Sequence, residues 1–251
     1  MTLELTKQNI SNNFSKAANT YNQYSEIQKE VAAEVFFRVK EKIMPGSKIL
    51  DLGCGTGYLA KIINAEMLLS GFSNPAIQIT QIDIAKEMAE IAGKIKNTKT
   101  IIADMEKLPL PFNEFDIVLS SLAAQWGDLT KILREINRVK KTNAPYVVST
   151  LGNDSFQEIR RDFPEINLRQ MHDLKTIKAR LADANISNLF IKRQLIKKEY
   201  KNLLEFFHIL KNIGANSSEK NSSFNKNLVK KLQKQENYQV SWEIIYLQNF
   251  N

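Results

Sequence analysis

The sequence holds one cysteine, Cys54, and two histidines, His172 and His208, that lie far apart in the chain. A single cysteine cannot form a disulfide within the chain, and these few residues have no metal-ligand spacing. No run of about 18 or more uncharged apolar residues is present, and the N-terminus, MTLELTKQNISNNF, is polar where a signal peptide is apolar. These absences predict a cytoplasmic protein without structural metal, disulfides or a membrane association.

The chain has 251 residues, 43% of them hydrophobic, and a formal net charge of +8. This length suits one α/β domain with extra elements or two small domains. A basic balance favours an acidic partner, which can be nucleic acid, a membrane surface or an acidic protein. Lysine is interleaved with Asn and Glu along the whole chain, which is also typical of a solvated surface. Charge alone therefore leaves the partner open.

The first forty residues are predicted to be helical. In QYSEIQKEVAAEVFFRVKEKI (23–43), aliphatic residues recur at every fourth position with charged residues between them, and Pro45 and Gly46 end the pattern.

Residues 45–151 alternate between short apolar runs and amphipathic stretches. Strands are predicted at 48–53, 77–83, 99–104, 115–121 and 146–151, with helices at 57–66, 86–95 and 128–141. Strands separated by helical crossovers form a parallel sheet, so this core is predicted to be a doubly wound α/β domain. Farther on, helices are expected at 154–162 and 173–185, a longer run at 188–200, a loop at 213–227 and a last strand in YQVSWEIIYLQNF.

A glycine-rich turn in ILDLGCGTGYLA (49–60) follows the first strand. A P-loop needs Lys and then Ser or Thr after its glycines, and a dinucleotide loop needs a wider spacing between its second and third glycine. Here the spacing is GxGxG, at Gly53, Gly55 and Gly57. The loop is therefore expected to approach a nucleoside without phosphates, although a tight turn without a ligand is the plainer alternative.

The motif ILDLGCGTG resembles the first motif of the class I S-adenosylmethionine (SAM) methyltransferases. The resemblance implies that Asp83, in QIDIA, binds the ribose hydroxyls and that Ile84 packs on adenine. It also implies that Asp104, in IIADMEKLPLPF, contacts the adenine amino group, with the backbone amide of Met105 beside it. Asp51 would orient the glycine loop or reach the amino group of the cofactor. Taken singly, Asp83 and Asp104 are also consistent with helix N-caps.

The resemblance thus implies SAM as cofactor and a Rossmann-like class I methyltransferase fold, with a mostly parallel seven-stranded sheet and an antiparallel C-terminal strand. Residues 1–44 would form an N-terminal helical lid segment and residues 45–251 the methyltransferase domain, a single domain overall. The predicted cofactor-binding residues are Asp51, Gly53, Gly55, Gly57, Asp83, Ile84, Asp104, Met105 and Ser120.

Three further segments, NNFSKAANTYNQYSEIQKEVA, SSLAAQWGDL and LKNIGANSS, resemble the malonyl-acyl carrier protein O-methyltransferases of biotin synthesis. The resemblance implies methylation of a free carboxylate, with an acidic acyl carrier protein bearing a malonyl thioester as partner. The predicted catalytic residues are Tyr21, Tyr24, Gln125 and Trp126, with Ser121 beside them. Core packing is an equally good explanation of Phe14 and Trp126. Before the fifth strand the family's Pro-Gly-Gly is replaced by KKTNAPY, where Asn143 can take the left-handed turn.

The cation that holds the malonyl group is sought among Arg134, Arg138, Arg160 and Arg161. Two basic faces are candidates for the carrier protein, and solvated faces are the alternative. They comprise Lys131, Arg134, Arg138, Lys140 and Lys141, and then Lys192, Arg193, Lys197 and Lys198. Nucleic acid is not expected, because SSLAAQW replaces the Pro-Pro-aromatic motif of amino-methylating relatives. A monomer is expected. A methyltransferase of another small molecule, such as a quinone precursor, and a non-methylating assembly factor remain alternatives.

Overall fold

The computed structural model describes residues 3–71, 77–184, 186–215 and 226–250. The helices in these ranges are α1 (Leu3–Tyr24), α2 (Glu26–Phe37), α3 (Tyr58–Leu69), α4 (Lys86–Ala92), α5 (Leu129–Val139), α6 (Gln157–Asp162), α7 (Leu174–Asp183), α8 (Leu203–Asn212) and α9 (Lys226–Gln233). The strands are β1 (Lys48–Leu52), β2 (Gln78–Asp83), β3 (Thr98–Ile102), β4 (Ile117–Ser120), β5 (Tyr146–Leu151), β6 (Phe190–Tyr200) and β7 (Tyr238–Asn249). No helix among these residues is both long and apolar enough to cross a membrane.

The strands form one seven-stranded sheet in the order β3-β2-β1-β4-β5-β7-β6. The pairs among β1 to β5 are parallel, and β7 runs antiparallel to both β5 and β6. The chain order reverses between β1 and β4, and ligands of open α/β sheets bind at such a switch point. The predicted mostly parallel sheet with an antiparallel C-terminal strand is confirmed.

Both faces of the sheet are covered, which explains the continuous apolar runs of the strands. Ile49 of β1 packs in the hydrophobic cluster that includes α2 and α3, while its neighbour Leu50 packs in the cluster that includes α5. The Asp128 carboxylate accepts hydrogen bonds from the amides of Thr130 and Lys131 and so caps α5. The sequence thus fixes where α5 begins, just after the loop that follows β4.

Three parts of the sequence-based prediction need correction, and one local prediction is confirmed. The predicted helix 23–43 is interrupted at Ser25 and ends at Phe37, with a short 3₁₀ turn at Lys40–Lys42. The run 188–200 is β6, whose exposed edge position leaves it too polar to be recognised from hydropathy. Helices α8 and α9 were not predicted, and α9 starts inside the expected loop 213–227, of which 216–225 lie outside the described residues. Asn143 has φ 62°, so its predicted left-handed turn is confirmed.

Candidate cofactor and acceptor site

The glycine loop joins β1 to α3 in a backbone conformation that L-residues avoid. Gly53 has φ 68°, and a Cβ there would lie 2.2 Å from Cβ of Ala123 in the loop after β4. Gly57 has φ 78°, and a Cβ would lie 2.3 Å from Ile95 after α4. Gly53 therefore allows two loops to meet, whereas Gly57 allows close packing of α3 on the α4 segment.

Asp83, the last residue of β2, holds the glycine loop through backbone amides. Its carboxylate accepts hydrogen bonds of 2.8 Å from the amide of Gly55 and of 2.8 Å from the amide of Ala85. Burial raises the pKa of Asp83 to about 6, although these amide hydrogen bonds act in the opposite direction. A carboxylate has about four lone-pair positions, so Asp83 retains acceptor capacity toward the cavity described below.

Asp104 follows β3 and is tied to the first helix. Its carboxylate accepts hydrogen bonds from the Glu106 amide, at 2.9 Å, and from the Lys7 ammonium. The same ammonium lies 2.8 Å from the Glu106 carboxylate. Burial opposes the charge on Lys7, but its hydrogen bonds to the two carboxylates outweigh this and raise its pKa.

Asp51 lies in β1 and is buried, with 1% of its surface exposed. Neither of its carboxyl oxygens accepts a hydrogen bond from a residue that the structure describes. Burial raises the pKa of Asp51 to about 8, and the negative charge of Asp83 adds to the shift. The neighbouring Cys54 is buried too, and burial raises the pKa of its thiol well above the ordinary value. Cys54 therefore stays a neutral thiol.

Helix α1 crosses the carboxyl ends of the central strands. Besides Lys7, the Ser11 hydroxyl donates a 2.9 Å hydrogen bond to the Ile84 carbonyl, and the Thr56 hydroxyl donates a 2.6 Å hydrogen bond to the Asn22 side chain. The Phe14 ring meets the Trp126 indole edge-to-face, with centroids 5.2 Å apart. The first helix is thus anchored to the segments after β1, β2, β3 and β4.

The segment after β4 is strained. Leu122 has φ 47°, unusual for a residue that carries a side chain, and its amide is held by a 2.9 Å hydrogen bond to the Ser149 hydroxyl. Ser120 is fully buried and donates a 2.9 Å hydrogen bond to the Leu52 carbonyl. Gln125 donates to the Leu122 carbonyl at 2.7 Å. This conformation presents Ser121, Ala123 and Trp126 to a common space.

That space is a cavity of about 710 Å³, part of it open to solvent, between α1 and the ends of β1 to β4. The predicted site residues that line it are Tyr21, Gly53, Gly55, Asp83, Ile84, Asp104, Met105 and Trp126. Phe14 and Ser121, which the sequence also pointed to, line it as well. Further lining residues are Lys7, Ile10, Ile82, Ala103, Glu106, Leu122, Ala123 and Gly127.

Five predicted site residues, Asp51, Gly57, Ser120, Gln125 and Tyr24, are not among the lining residues. Ser120 and Gln125 make the hydrogen bonds given above, Gly57 lies where α3 packs on the α4 segment, and Asp51 is buried without a hydrogen-bond partner among the described residues. The hydroxyl of Tyr24 instead meets Nε2 of His208 on α8 at 3.4 Å, with the two rings 5.4 Å apart. Tyr21 stays at the cavity, where burial, with the charge of Asp83, raises its pKa and keeps its hydroxyl neutral.

Sequence reasoning missed Lys7 and Ile10, although a signal was present. Lys7, Ile10, Phe14 and Tyr21 recur at intervals of three, four and seven along α1, and so lie on one helix face. This face mixes charged, apolar and phenolic side chains, so an apolar-periodicity search does not select it.

Two of the arginines predicted to hold the malonyl group, Arg138 and Arg161, make their contacts away from the cavity. The Arg138 guanidinium is held by Glu135 and by the carbonyls of Leu108 and Leu110. Arg161 pairs with Asp162. Neither contact set includes a residue that lines the cavity.

Many charges of the two basic faces are paired within the chain. On the α5 face Lys141 pairs with Asp116, and Lys131 lies 3.8 Å from Glu106. The pairs on the β6 face are Arg193 with Glu243 and Asp154, and Lys198 with Glu26 and Glu30. Arg134, Lys192 and Lys197 are exposed.

A glycine loop follows β1, and acidic residues stand at the ends of β2 and β3, at the switch point of a doubly wound sheet. This arrangement defines a nucleoside-binding α/β enzyme of the methyltransferase type. The sequence matches the family described as "Methyltransferase domain" over residues 43–208. The chain therefore belongs to the class I SAM-dependent methyltransferases.

Within this family the chain resembles one group of enzymes. It is 29% identical over 231 residues to "Malonyl-[acyl-carrier protein] O-methyltransferase 2" of Ilyobacter polytropus, covering 87% of this chain and 84% of the relative. It is 30% identical over 215 residues to the protein named "Malonyl-[acyl-carrier protein] O-methyltransferase" of Legionella pneumophila, covering 82% and 73% of the two chains. The solved structure of the YcgJ protein from Bacillus subtilis has a TM-score of 0.56 at 18% identity, covering 86% of this chain and 97% of that one, and shows the shared fold.

Proposed function

We propose that this methyltransferase methylates the free carboxylate of malonyl-acyl carrier protein and forms its methyl ester. The similarity to the Ilyobacter polytropus enzyme carries the proposal, because its 87% coverage exceeds the domain match at 43–208. The likeness therefore extends into segments that flank the common domain. Such segments distinguish methyltransferases that share one fold but act on different acceptors.

The residues at the carboxyl ends of the strands fit SAM. Asp83 would accept hydrogen bonds from the ribose hydroxyls, and Ile84 would pack on the adenine. Asp104 would accept a hydrogen bond from the adenine amino group, with the Met105 backbone amide beside it. Asp51 would face the cationic amino group, directly or through water, and this gives its buried, unpartnered carboxyl a donor. When bound, SAM supplies an electrophilic methyl group and leaves as S-adenosylhomocysteine.

The acceptor needs little chemical activation, because a carboxylate is already ionised at pH 7. The neutral Tyr21 hydroxyl at the cavity wall can donate a hydrogen bond to it but is not required as a base. Phe14, Ile10 and Trp126 provide an apolar wall that excludes water from the acceptor oxygen. Catalysis rests on orientation and desolvation, and well-oriented encounter contributes roughly 7 to 11 kcal/mol.

The carrier protein is proposed to dock on the α5 face and not on the β6 face. Glu106 and Gly127 line the cavity, Lys131 lies 3.8 Å from Glu106, and Gly127 stands two residues before α5. A thioester arm that enters beside α5 would reach the cavity directly. Exposed Arg134 adds a positive charge to this rim.

The deciding experiment is transfer of a radiolabelled methyl group from SAM to malonyl-acyl carrier protein, with acetyl-acyl carrier protein as control. We expect label only on the malonyl form, and alkaline hydrolysis should release it as methanol. Binding of SAM without any transfer would reject the malonyl assignment and favour an assembly factor. Transfer to an unrelated phenol instead would favour a methyltransferase of another small molecule.

A further inference from the structure

The hydroxyl group of Ser121 makes no hydrogen bond inside the described part of the chain. Its Oγ is buried and meets no donor or acceptor among the residues that the structure describes. Ser121 nevertheless lines the cavity. The preceding Ser120, in contrast, donates its hydroxyl to the Leu52 carbonyl. Burial of a hydroxyl without a partner is unfavourable, so a ligand that supplies the partner is favoured at this point of the cavity wall.

The sheet places Ser121 beside the glycine loop. Strand β4 runs parallel to β1, with Leu119 opposite Asp51, and Ser121 is the first residue after β4. Two residues farther on, Ala123 lies so close to Gly53 that a Cβ on the glycine would be 2.2 Å from the alanine Cβ. The acids proposed to bind the adenosine stand at the ends of β2 and β3, on the other side of β1. Ser121 therefore adjoins the part of the cavity where the methyl group of SAM and the acceptor would meet.

The loop after β4 holds the backbone of Ser121 in place. The next residue, Leu122, has φ 47°. Its amide donates a hydrogen bond to the Ser149 hydroxyl, and its carbonyl accepts one from the Gln125 side chain. Both backbone polar groups of Leu122 are thus bonded, which maintains its left-handed conformation. Rotation about the Cα–Cβ bond of Ser121 is then enough to turn the hydroxyl toward the cavity.

Two ligand groups can supply the partner: the amino group of the cofactor and the carboxylate of the acceptor. The cationic amino group has a better partner in Asp51, whose carboxyl oxygens are unpartnered among the described residues, because a carboxylate is a stronger acceptor than a hydroxyl. The acceptor carboxylate needs a donor, which a hydroxyl provides. Ser121 is thus matched to the acceptor.

We propose that the Ser121 hydroxyl donates a hydrogen bond to one oxygen of the acceptor carboxylate and so directs the other oxygen to the methyl group. The inference rests on the proposed function, because it requires a carboxylate as acceptor. The second oxygen forms the bond to the methyl carbon while the sulfur–methyl bond breaks with its electron pair on sulfur, and no proton is transferred. The carboxylate loses its negative charge in this step, so the hydrogen bond is stronger before the transfer than after it. Ser121 therefore contributes to acceptor binding more than to the rate of transfer.

Ser121→Ala tests the inference through steady-state kinetics and through binding of acyl carrier proteins to the S-adenosylhomocysteine complex. We expect the KM and the Kd for malonyl-acyl carrier protein to rise about 10- to 100-fold, as for loss of a hydrogen bond to a charged group, with a smaller change in kcat. The Kd of SAM should stay unchanged. Binding of acetyl-acyl carrier protein should also stay unchanged, because the acetyl group has no carboxylate.

Ser25→Ala is the matched control. The Ser25 hydroxyl is likewise buried and has no partner among the described residues, but Ser25 lies between α1 and α2 and is not among the residues that line the cavity. This variant should keep the KM, the kcat and both Kd values of the wild type.

A wild-type protein that transfers no methyl group to malonyl-acyl carrier protein would reject the proposed function and this inference together. With an active wild type, unchanged binding of malonyl-acyl carrier protein in Ser121→Ala would overturn the role of Ser121 alone. Weaker binding of SAM would assign the hydroxyl to the cofactor, and equal weakening of the malonyl and acetyl forms would assign it to the thioester arm; either result overturns the inference. If Ser121→Ala fails to fold, Ser121→Cys decides, because its thiol is only a weak donor.

Discussion

The ammonium of Lys7 and the carboxylate of Asp104 form an ion pair that joins the first helix to the loop after β3, across 97 positions of sequence. The side chains are 22% and 32% exposed, so the pair is shielded from solvent more than a typical surface pair. Asp104 is also the residue proposed to contact the adenine amino group. The same carboxylate therefore anchors α1 and, under the proposed function, contacts the cofactor.

Lys7→Met tests this coupling, because methionine keeps the aliphatic stem and removes the charge. We expect SAM to dissociate several-fold faster, since α1 loses its anchor to Asp104 and Glu106, and we expect high salt to diminish the difference. Lys16→Met, at an exposed position of the same helix, should dissociate like the wild type. Stopped-flow displacement with S-adenosylhomocysteine measures both rates. Slower release from Lys7→Met would contradict the anchor and indicate that Lys7 competes with adenine for Asp104.

Asp83→Asn should weaken SAM binding by about 10- to 100-fold, corresponding to loss of a hydrogen bond to a charged acceptor. The amide retains one oxygen, so it cannot serve the Gly55 amide, the Ala85 amide and a ribose diol together. Asp116→Asn changes a carboxylate that likewise accepts a backbone amide, from Lys48 at the start of β1, and serves as control. Calorimetric titration gives both values, and equal affinities in the two variants would remove Asp83 from the cofactor site.

The sequence predicts the parts of this molecule that depend on neighbours along the chain. Buried parallel strands are continuous apolar runs, so β1 to β5 were located to within about two residues at most ends, a normal boundary uncertainty. Asp83 and Asp104 could be placed at one edge because parallel strands end on the same side of their sheet.

The remaining features depend on contacts that sequence spacing does not encode. Lys7 meets Asp104, and Arg169 meets Gln125 across 44 positions, only after α1 and the segment before α7 have packed. The strand β6 lies at the sheet edge and exposes Lys192 and Lys197, so its apolar alternation is weak.

Without bound cofactor, Asp51→Asn should be more stable than the wild type, and the difference should grow as the pH rises. Burial raises the folded pKa of Asp51 to about 8, from an ordinary value of 3.8. Between these values the folded protein keeps a proton that the unfolded chain has lost, so wild-type stability falls with rising pH by at most about 1.4 kcal/mol per unit. The Tm advantage of Asp51→Asn should therefore grow from about pH 5 to about pH 8. Its affinity for SAM should fall, because the neutral amide cannot form an ion pair with the cationic amino group of SAM.

Asp116→Asn should change the stability in the opposite direction in the same measurement. Burial would raise the pKa of Asp116, but hydrogen bonds from Lys141 and the Lys48 amide outweigh it and hold that pKa below its ordinary value. Its stabilising effect is present above the unfolded pKa and is lost as the pH falls through the folded pKa, so this variant should be less stable at neutral pH. A Tm difference for Asp51→Asn that does not vary with pH would contradict a proton held at Asp51.

Gly214→Ala should destabilise the contact between α8 and α1. Gly214 has φ 75°, and a Cβ would lie 2.8 Å from Cα of Phe14 and 2.9 Å from the Asn13 carbonyl oxygen, both backbone atoms. Gly71 has the same φ of 75°, and no atom of the described residues beyond its chain neighbours lies within 4 Å of the added Cβ, so Gly71→Ala serves as the control for backbone strain. We expect Gly214→Ala to lose on the order of 1 to 3 kcal/mol more than Gly71→Ala in urea unfolding. Equal losses would mean that α1 adjusts without cost.

Arg134→Glu should lower kcat/KM for malonyl-acyl carrier protein and leave activity on malonyl-pantetheine unchanged. A reversed charge on the α5 rim repels the acidic carrier protein and slows its association, whereas malonyl-pantetheine lacks the acidic surface of the carrier. The loss should shrink as salt approaches about 1 M, where the Debye length is about 3 Å. Lys94→Glu reverses an exposed charge between α4 and the start of β3, whereas the cavity lies at the carboxyl ends of the strands, and should have little effect. If Lys192→Glu lowers kcat/KM and Arg134→Glu does not, the carrier docks on β6 instead.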